Sequence, residues 1–160
     1  MTAKRISHLK EPQRLLVPLD LSTLSDQALG LALKLAGPKA KIRLFHASAP
    51  VHIISSVGVD GTTVPVYDRA LSLQQWEHAK KQLRHKAAAH KRAIEVDVVE
   101  APKAAQAIAL AAKRFKADQV VMTTHGRGGL SRLLSGSVAQ KLFHLYLGPI
   151  LLLRPGKKKG

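Results

Sequence analysis

Apolar positions along the chain alternate between short continuous runs and longer stretches in which apolar residues recur every three or four positions. Short runs of about 4–8 residues are typical of buried strands, and the longer spacing is typical of amphipathic helices. Strands that alternate with helices predict a parallel sheet with right-handed crossovers and helices on both faces, the doubly wound α/β class. Five strands are predicted, over residues 14–20, 41–47, 94–99, 118–123 and 150–153.

Four helices are predicted between these strands, and turn residues mark their ends. The first begins near Ser22, Ser25 and Asp26, whose side chains are favourable at an N-cap, and it stops at Gly37-Pro38. The second contains Trp76 in an apolar stripe, so we expect this side chain in the core. This second helix is predicted over residues 71–92, and the remaining two helices cover residues 102–115 and a segment from residue 137 to just before Gly148.

Residues 48–70 have no clean hydrophobic period. Pro50, Gly58, Gly61 and Pro65 interrupt this segment. An irregular segment of this length is uncommon inside a compact domain unless it forms a lid or is mobile. We therefore expect an irregular segment here that covers a site or moves.

Length and composition restrict the class of protein. A chain of 160 residues, 46% of them hydrophobic, has the size and apolar content of one globular domain. It contains no apolar run of the ~20 residues that a transmembrane helix needs, and residues 1–14 contain no apolar segment typical of a secretory signal. The chain has no cysteine, which excludes disulfides and fits the cytoplasm. We expect a cytoplasmic protein.

The charge is unusual, because 26 Lys and Arg residues against 10 Asp and Glu residues give a net charge of +16. Such a surface attracts phosphate-bearing partners, nucleic acid included, although it also serves solubility through like-charge repulsion. Residues 1–12 are expected to form a basic flexible arm, residues 13–155 the domain, and residues 156–160 a basic tail.

The predicted helix over residues 71–92 carries much of this positive charge. Its Lys and Arg side chains are either a solvated face or a track for a nucleic-acid backbone, and the few aromatic residues of the chain weaken a base-stacking surface. His78, His85 and His90 lie on or beside the same helix. Because no further ligand completes a zinc site, we expect them to be surface residues.

Candidate chemistry is concentrated in residues 123–137, with the sequence TTHGRGGLSRLLSGS. Glycines between a strand and a helix let backbone amides and a helix N-terminus converge on an anion, although they also serve a tight turn. Arg127 and Arg132 can pair with phosphate oxygens. The segment lacks a Walker-type P-loop, and Ser131 replaces the last glycine of a dinucleotide-binding motif.

One spacing within this segment resembles a known motif. Gly126 is followed by nine residues and then by Gly136-Ser137, which is similar to the latter part of the nucleotide-binding signature of the universal stress protein family, G-x-x-G, nine residues, G-[ST]. The segments Val17-Pro18-Leu19-Asp20 and Pro149-Ile-Leu-Leu-Leu-Arg154 agree with the same family.

The resemblance covers residues 13–155. It implies an α/β fold with five parallel strands in the order 3-2-1-4-5 and a homodimer formed through the last strand, residues 149–154. It also implies a site for ATP, ADP or AMP, with or without Mg²⁺, at the point where strand order reverses.

The family's site residues transfer to this chain position by position. Asp20 would bond the adenosine, where the sequence alone equally allows a role in capping or in the turn. The base and ribose would lie near Pro18, Ala47 and Met122. The ribose and phosphates would lie near Thr123, Gly126, Arg127, Gly136, Ser137 and Val138, held by backbone amides and the Ser137 hydroxyl.

Two positions depart from the family pattern. Thr123 occupies the first glycine of the signature, where a β-branched side chain can crowd the ribose. Glu100 stands where the family often has glycine, and it adds negative charge near the site.

No catalytic constellation is present, so at most slow ATP hydrolysis is expected. The expected function is therefore regulatory nucleotide binding in a stress response. Two alternatives are a nucleotide-independent dimeric interaction module and a binder of nucleic acid or other polyanions.

Overall fold

The computed structural model describes residues 11–57, 61–124 and 137–154. The expected basic arm and tail therefore lie mostly or wholly outside the described residues. The strands are β1 (Arg14–Pro18), β2 (Lys41–Ser48), β3 (His52–Val57), β4 (Thr63–Tyr67), β5 (Ile94–Glu100), β6 (Gln119–Thr123) and β7 (Ile150–Leu153). The helices are α1 (Asp26–Leu35), α2 (Arg69–Ala88), α3 (Ala104–Phe115) and α4 (Ser137–Leu145).

The main sheet has five parallel strands in the order β5-β2-β1-β6-β7. Numbered along the chain within this sheet alone, the order is 3-2-1-4-5, which confirms the predicted α/β fold. β1 occupies the centre because its residues are apolar and buried on both faces, as a central parallel strand requires.

Alternate residues of β1 face two helix layers. Leu15 and Val17 face the first layer, and Leu16 faces the second. The first helix layer contributes Ala28, Leu29 and Ala32 from α1 with Ala79 and Leu83 from α2. The second helix layer contributes Ala105, Ile108, Ala112 and Phe115 from α3 with Ala139 and Leu142 from α4. Within the described residues, no helix has the length and apolar character to cross a bilayer.

The expectation of an irregular segment over residues 48–70 is wrong for much of its length. β3 and β4 pair antiparallel as a separate two-stranded sheet. Apolar, largely β-branched residues on both sides of a Gly-Val-Asp-Gly segment are a hairpin signal, which the prolines obscured. Pro65 is tolerated because each strand of a two-stranded sheet has an open edge.

Hydrogen bonds attach this hairpin to the rest of the domain. The Tyr67 hydroxyl donates to the carboxylate of Glu100, at the end of β5, with both oxygens 3.0 Å away. The Val51 amide donates to the Ser72 hydroxyl at 2.8 Å, and the Asp68 amide donates to the Val51 carbonyl at 2.9 Å. The hairpin is thus held at its open end, where β3 begins and β4 ends.

Helix α2 differs at both ends from the expected range of 71–92. It begins at Arg69 because the Asp68 carboxylate accepts a hydrogen bond from the Leu71 amide, a side-chain N-cap. It ends at Ala88, and Arg92 lies beyond it. The Arg92 guanidinium donates to three backbone carbonyls between α1 and β2, those of Ala36, Gly37 and Ala40.

Tyr146 joins the end of α4 to the segment before β6. Its hydroxyl donates to the Ala117 carbonyl at 2.8 Å. Burial, together with the negative charge of Asp118, raises the pKa of Tyr146 above its usual value. Gly148 is required beside it, because an added Cβ would collide with the Tyr146 ring.

The raised pKa predicts a loss of stability at alkaline pH. An unfolded tyrosine ionises near pH 10, and the folded protein keeps Tyr146 protonated to higher pH. Its contribution is therefore present below about pH 10 and is lost as the pH rises through the folded-state pKa. Urea unfolding of Tyr146→Phe should show a smaller alkaline loss than the original chain, whereas Tyr67→Phe should retain the Tyr146 contribution. Equal losses in the original chain and Tyr146→Phe would contradict the assignment.

Candidate functional site

The carboxyl ends of β1 and β6 form the switch point of the sheet. From β1 the chain continues to its neighbour β2, whereas the connection from β5 crosses the sheet to β6 on the other side of β1. Diverging connections leave a crevice at this edge, which is where open α/β sheets bind ligands. The sequence-based placement of the site agrees with this topology.

Asp20 lies two residues beyond β1 at this edge. Its Oδ1 accepts a hydrogen bond from the Ser22 amide at 3.0 Å and another from the Ser22 hydroxyl at 2.5 Å. Leu21 between them has φ of 67°, a left-handed conformation that is uncommon for leucine. Asp20 therefore belongs to the turn between β1 and α1, one of the two roles that its sequence position allowed.

A second set of contacts fixes Ser22. The Ser22 hydroxyl oxygen accepts from the Ser25 amide at 3.2 Å, and the Ser25 hydroxyl donates to the Ser22 carbonyl at 2.8 Å. Ser25 precedes α1 as its N-cap but makes no side-chain cap to the helix. The serines that were expected to cap the helix instead support the turn that holds the Asp20 carboxylate.

The end of β2 is bound to the same turn. The Leu19 amide donates to the Phe45 carbonyl at 2.8 Å. The His46 ring donates from Nδ1 to the Leu19 carbonyl at 2.7 Å, since a carbonyl oxygen can only accept. The Leu19 backbone, between Pro18 and Asp20, is therefore held by β2 through both its amide and its carbonyl.

Three predicted site residues pack against one apolar cluster. Met122 is buried within the second helix layer, where Ala47 and Val138 also pack. Pro18 is buried at the end of β1. Apolar side chains from β2, β6 and α4 thus pack against the same cluster.

Thr123 is the last residue of β6 and is 8% exposed. Strand alternation places its side chain on the same sheet face as Val121, which packs in the first helix layer, and opposite to Met122. The adjacent Thr124 amide donates to the Leu153 carbonyl at 3.0 Å, which continues the pairing of β6 with β7. A β-branched residue suits this strand end, whereas the family signature has glycine.

The phosphate-binding half of the predicted site lies outside the described residues. This applies to Gly126, Arg127 and Gly136. Ser137 begins α4, although its side chain is not described.

Glu100 also lies at this edge of the sheet. Its carboxylate accepts the hydrogen bond from Tyr67. The negative charge that the sequence places at this position therefore binds the hairpin. The sequence did not identify Tyr67 as the residue that contacts Glu100. The one indication of its role was its position at the end of a run of β-branched residues.

Three histidines lie on or beside α2. His78, His85 and His90 are exposed, as expected, and no group of three metal-binding side chains occurs among the described residues.

Trp76 packs against the first helix layer and donates from Nε1 to the Val98 carbonyl at 2.7 Å. An open groove of about 470 Å³ follows the end of α2, where Arg84, His90 and Arg92 are among its lining residues.

Several solved structures share this fold. The hypothetical protein MJ0577 aligns with a TM-score of 0.69 and 18% identity over 93% of this chain and 100% of that chain. A universal stress protein in complex with cAMP has a TM-score of 0.62 and 21% identity over 90% and 98%. A universal stress protein family protein from Arabidopsis thaliana, At3g01520 with AMP bound, has a TM-score of 0.55 and 16% identity over 92% and 95%.

The identities to these structures are low, so the likeness shows the fold. None of the curated proteins compared with the chain matches it. The model of the universal stress protein family, in contrast, matches residues 11–154. This match includes the turn that holds Asp20, the ends of β1, β2 and β6, and the start of α4. The chain belongs to the universal stress protein family.

Proposed function

We propose that the protein binds ATP or a related adenine nucleotide at the crevice between β1 and β6, as a regulatory ligand in a stress response. The observation that carries the proposal is the turn that fixes the Asp20 carboxylate at the switch point of the sheet. The solved relatives described with cAMP and with AMP support an adenine nucleotide as the ligand class.

The proposed contacts divide into two groups. The Asp20 carboxylate would accept a hydrogen bond from the adenosine, since an ionised carboxylate is a strong acceptor for hydroxyl groups. The base would lie against the apolar residues Pro18, Ala47 and Met122. The phosphates, with or without Mg²⁺, would lie towards the start of α4, where amides and the helix dipole favour anions. This second group comprises Thr123, Gly126, Arg127, Gly136, Ser137 and Val138.

The proposed role is regulatory, because the sequence contains no catalytic constellation and the described contacts of Asp20 orient a carboxylate for binding. Nucleotide binding next to the segment 126–136 would change a surface that a protein partner contacts. At most slow hydrolysis would accompany it. A cytoplasmic location, in keeping with the cysteine-free sequence, is part of the same proposal.

Calorimetric titration with MgATP at moderate salt tests the proposal, with inorganic triphosphate as the matched control. Saturable binding of ATP without binding of triphosphate is the expected result, because adenosine contacts supply the specificity. Equal binding of both ligands that vanishes with salt would instead identify a basic surface that attracts polyanions.

A homodimer through β7 forms part of the proposed assembly. β7 is the last strand of the sheet and pairs with β6 on one side. Leu152 on this strand is 43% exposed, and Phe143 and Leu147 nearby in sequence are 69% and 102% exposed. A strand edge with adjacent exposed apolar side chains favours pairing with a second copy.

The same exposed surface favours the alternative of a nucleotide-independent dimeric module. In that case Thr123 would prevent binding in the original chain. ATP affinity that appears only after Thr123→Gly would favour the module over the nucleotide proposal.

A further inference from the structure

The β3–β4 hairpin has two different faces. Ile53 lies directly opposite Val66, and Ile54 lies directly opposite Pro65. Side chains alternate along a strand, so Ile53, Val64 and Val66 share one face, which we call the Ile53 face. Ile54 and Tyr67 lie on the other face.

The Ile53 face is apolar and exposed. Ile53, Val64 and Val66 are 43%, 50% and 42% exposed, respectively. A two-stranded hairpin is marginally stable alone in water, and clustered exposed apolar side chains mark interaction surfaces. The opposite face is engaged at its Tyr67 end, where the Tyr67 hydroxyl binds Glu100 and the Tyr67 ring contacts His52 edge-on, with centroids 6.0 Å apart, whereas Ile54 on the same face is 65% exposed.

The charge distribution favours a second copy of this chain over a strongly charged partner at this face. Residues 44–68 contain no Lys or Arg, whereas the chain as a whole has 26 and a net charge of +16. An acidic protein or an anionic membrane would be attracted to the basic surfaces, α2 among them, and gains no charge contact at the hairpin. A second copy of this chain is repelled by those surfaces and can approach most closely at a segment without positive charge.

We propose that the Ile53 face packs against the same face of a second copy across a two-fold axis. The contact places two hairpins face to face, as sheets pack in a β-sandwich, and it buries β-branched side chains from both copies. A self-complementary contact of this kind closes at two copies. It is separate from the proposed β7 contact, so a chain that uses both forms assemblies larger than a dimer.

The salt dependence of this contact is opposite to that of polyanion binding. Raising the salt from about 0.1 M to about 1 M shortens the Debye length from about 10 Å to about 3 Å. Repulsion between two copies at +16 is then screened, while apolar burial is retained. Self-association through the Ile53 face therefore strengthens as salt rises.

Sedimentation velocity of the full chain carrying Leu152→Lys tests the proposal, because the added charge disrupts the β7 contact. This variant should still self-associate, and more strongly at high salt. Adding Ile53→Lys should weaken the association by about tenfold or more, since it places a charge in the apolar contact. Adding Ile54→Lys is the matched control. It changes the neighbouring, more exposed isoleucine on the opposite face and should leave the association unchanged.

Circular dichroism should show the same folded content in all variants, since these isoleucines are exposed. Val66→Lys provides a second change on the Ile53 face and should match Ile53→Lys. A Leu152→Lys chain that is monomeric at both salt concentrations would overturn the proposal. Equal effects of Ile53→Lys and Ile54→Lys would also overturn it, because they would assign no role to the Ile53 face.

Discussion

Asp20→Ala is expected to weaken MgATP binding by about 10–100-fold, since a hydrogen bond to a charged group contributes about 1.5–3 kcal/mol. The carboxylate is held at the switch point by the Ser22 amide and hydroxyl, so the ligand would meet an acceptor that is already oriented. Calorimetric titration of the variant and of the original chain under the same conditions provides the measurement.

Asp20→Asn tests the contribution of the negative charge to ATP binding separately from the contribution of the side chain to the turn. Its side-chain oxygen can still accept from the Ser22 amide, so the turn is retained while the negative charge is lost. Affinity should fall nearly as far as in Asp20→Ala, with the stability of the original chain. Ser22→Ala provides the converse test, since it loosens the turn and keeps the carboxylate. Unchanged affinity in Asp20→Ala, with ATP bound by the original chain, would limit Asp20 to its role in the turn.

Arg92→Ala is expected to lower the free energy of unfolding by about 2–4 kcal/mol. The guanidinium donates to the carbonyls of Ala36, Gly37 and Ala40, and its loss leaves these acceptors without their charged donor. Ala40 is buried at 6% exposure, so water cannot fully replace that bond. Urea unfolding followed by circular dichroism measures the change.

Arg92→Lys and Lys91→Ala are the controls for this effect. A lysine ammonium lacks the planar fork that reaches several carbonyls together, so Arg92→Lys should recover only part of the loss. Lys91 is the adjacent, exposed cation, and Lys91→Ala should change stability by no more than about 0.5 kcal/mol. A loss in Lys91→Ala as large as that in Arg92→Ala would show that the positive charge of this segment, rather than the carbonyl contacts, is responsible.

The five strands of the main sheet were predictable because each is a short apolar run with its own turn residues. The expected segment 41–47 became Lys41–Ser48, and 94–99 became Ile94–Glu100, differences of one residue. The hairpin was not predictable by the same means. Its prolines and glycines interrupt the pattern, and its pairing joins residues on either side of a turn.

The candidate site was partly predictable. Asp20, Ala47 and Met122 follow or end apolar strands, so their place at one edge follows from parallel strand order. The contacts that position them were not visible, because the Ser22 network depends on the backbone of the turn and the His46 contact joins two strands. Thr123 could be placed at the end of its strand, but its face of the sheet required the packing of Val121.

The sequence by itself determined the fold class, the strand order through the family resemblance, and the edge at which the candidate site is expected. The fold class follows from local periodicity and turn chemistry, which depend on residues close together in sequence, whereas the strand order follows from the resemblance alone. Only the tertiary structure decided that Arg92 binds three carbonyls, that Tyr67 holds the hairpin to Glu100, and that burial beside Asp118 raises the pKa of Tyr146. Each joins residues at least 28 positions apart in sequence, and such contacts form only when folding brings separate elements together.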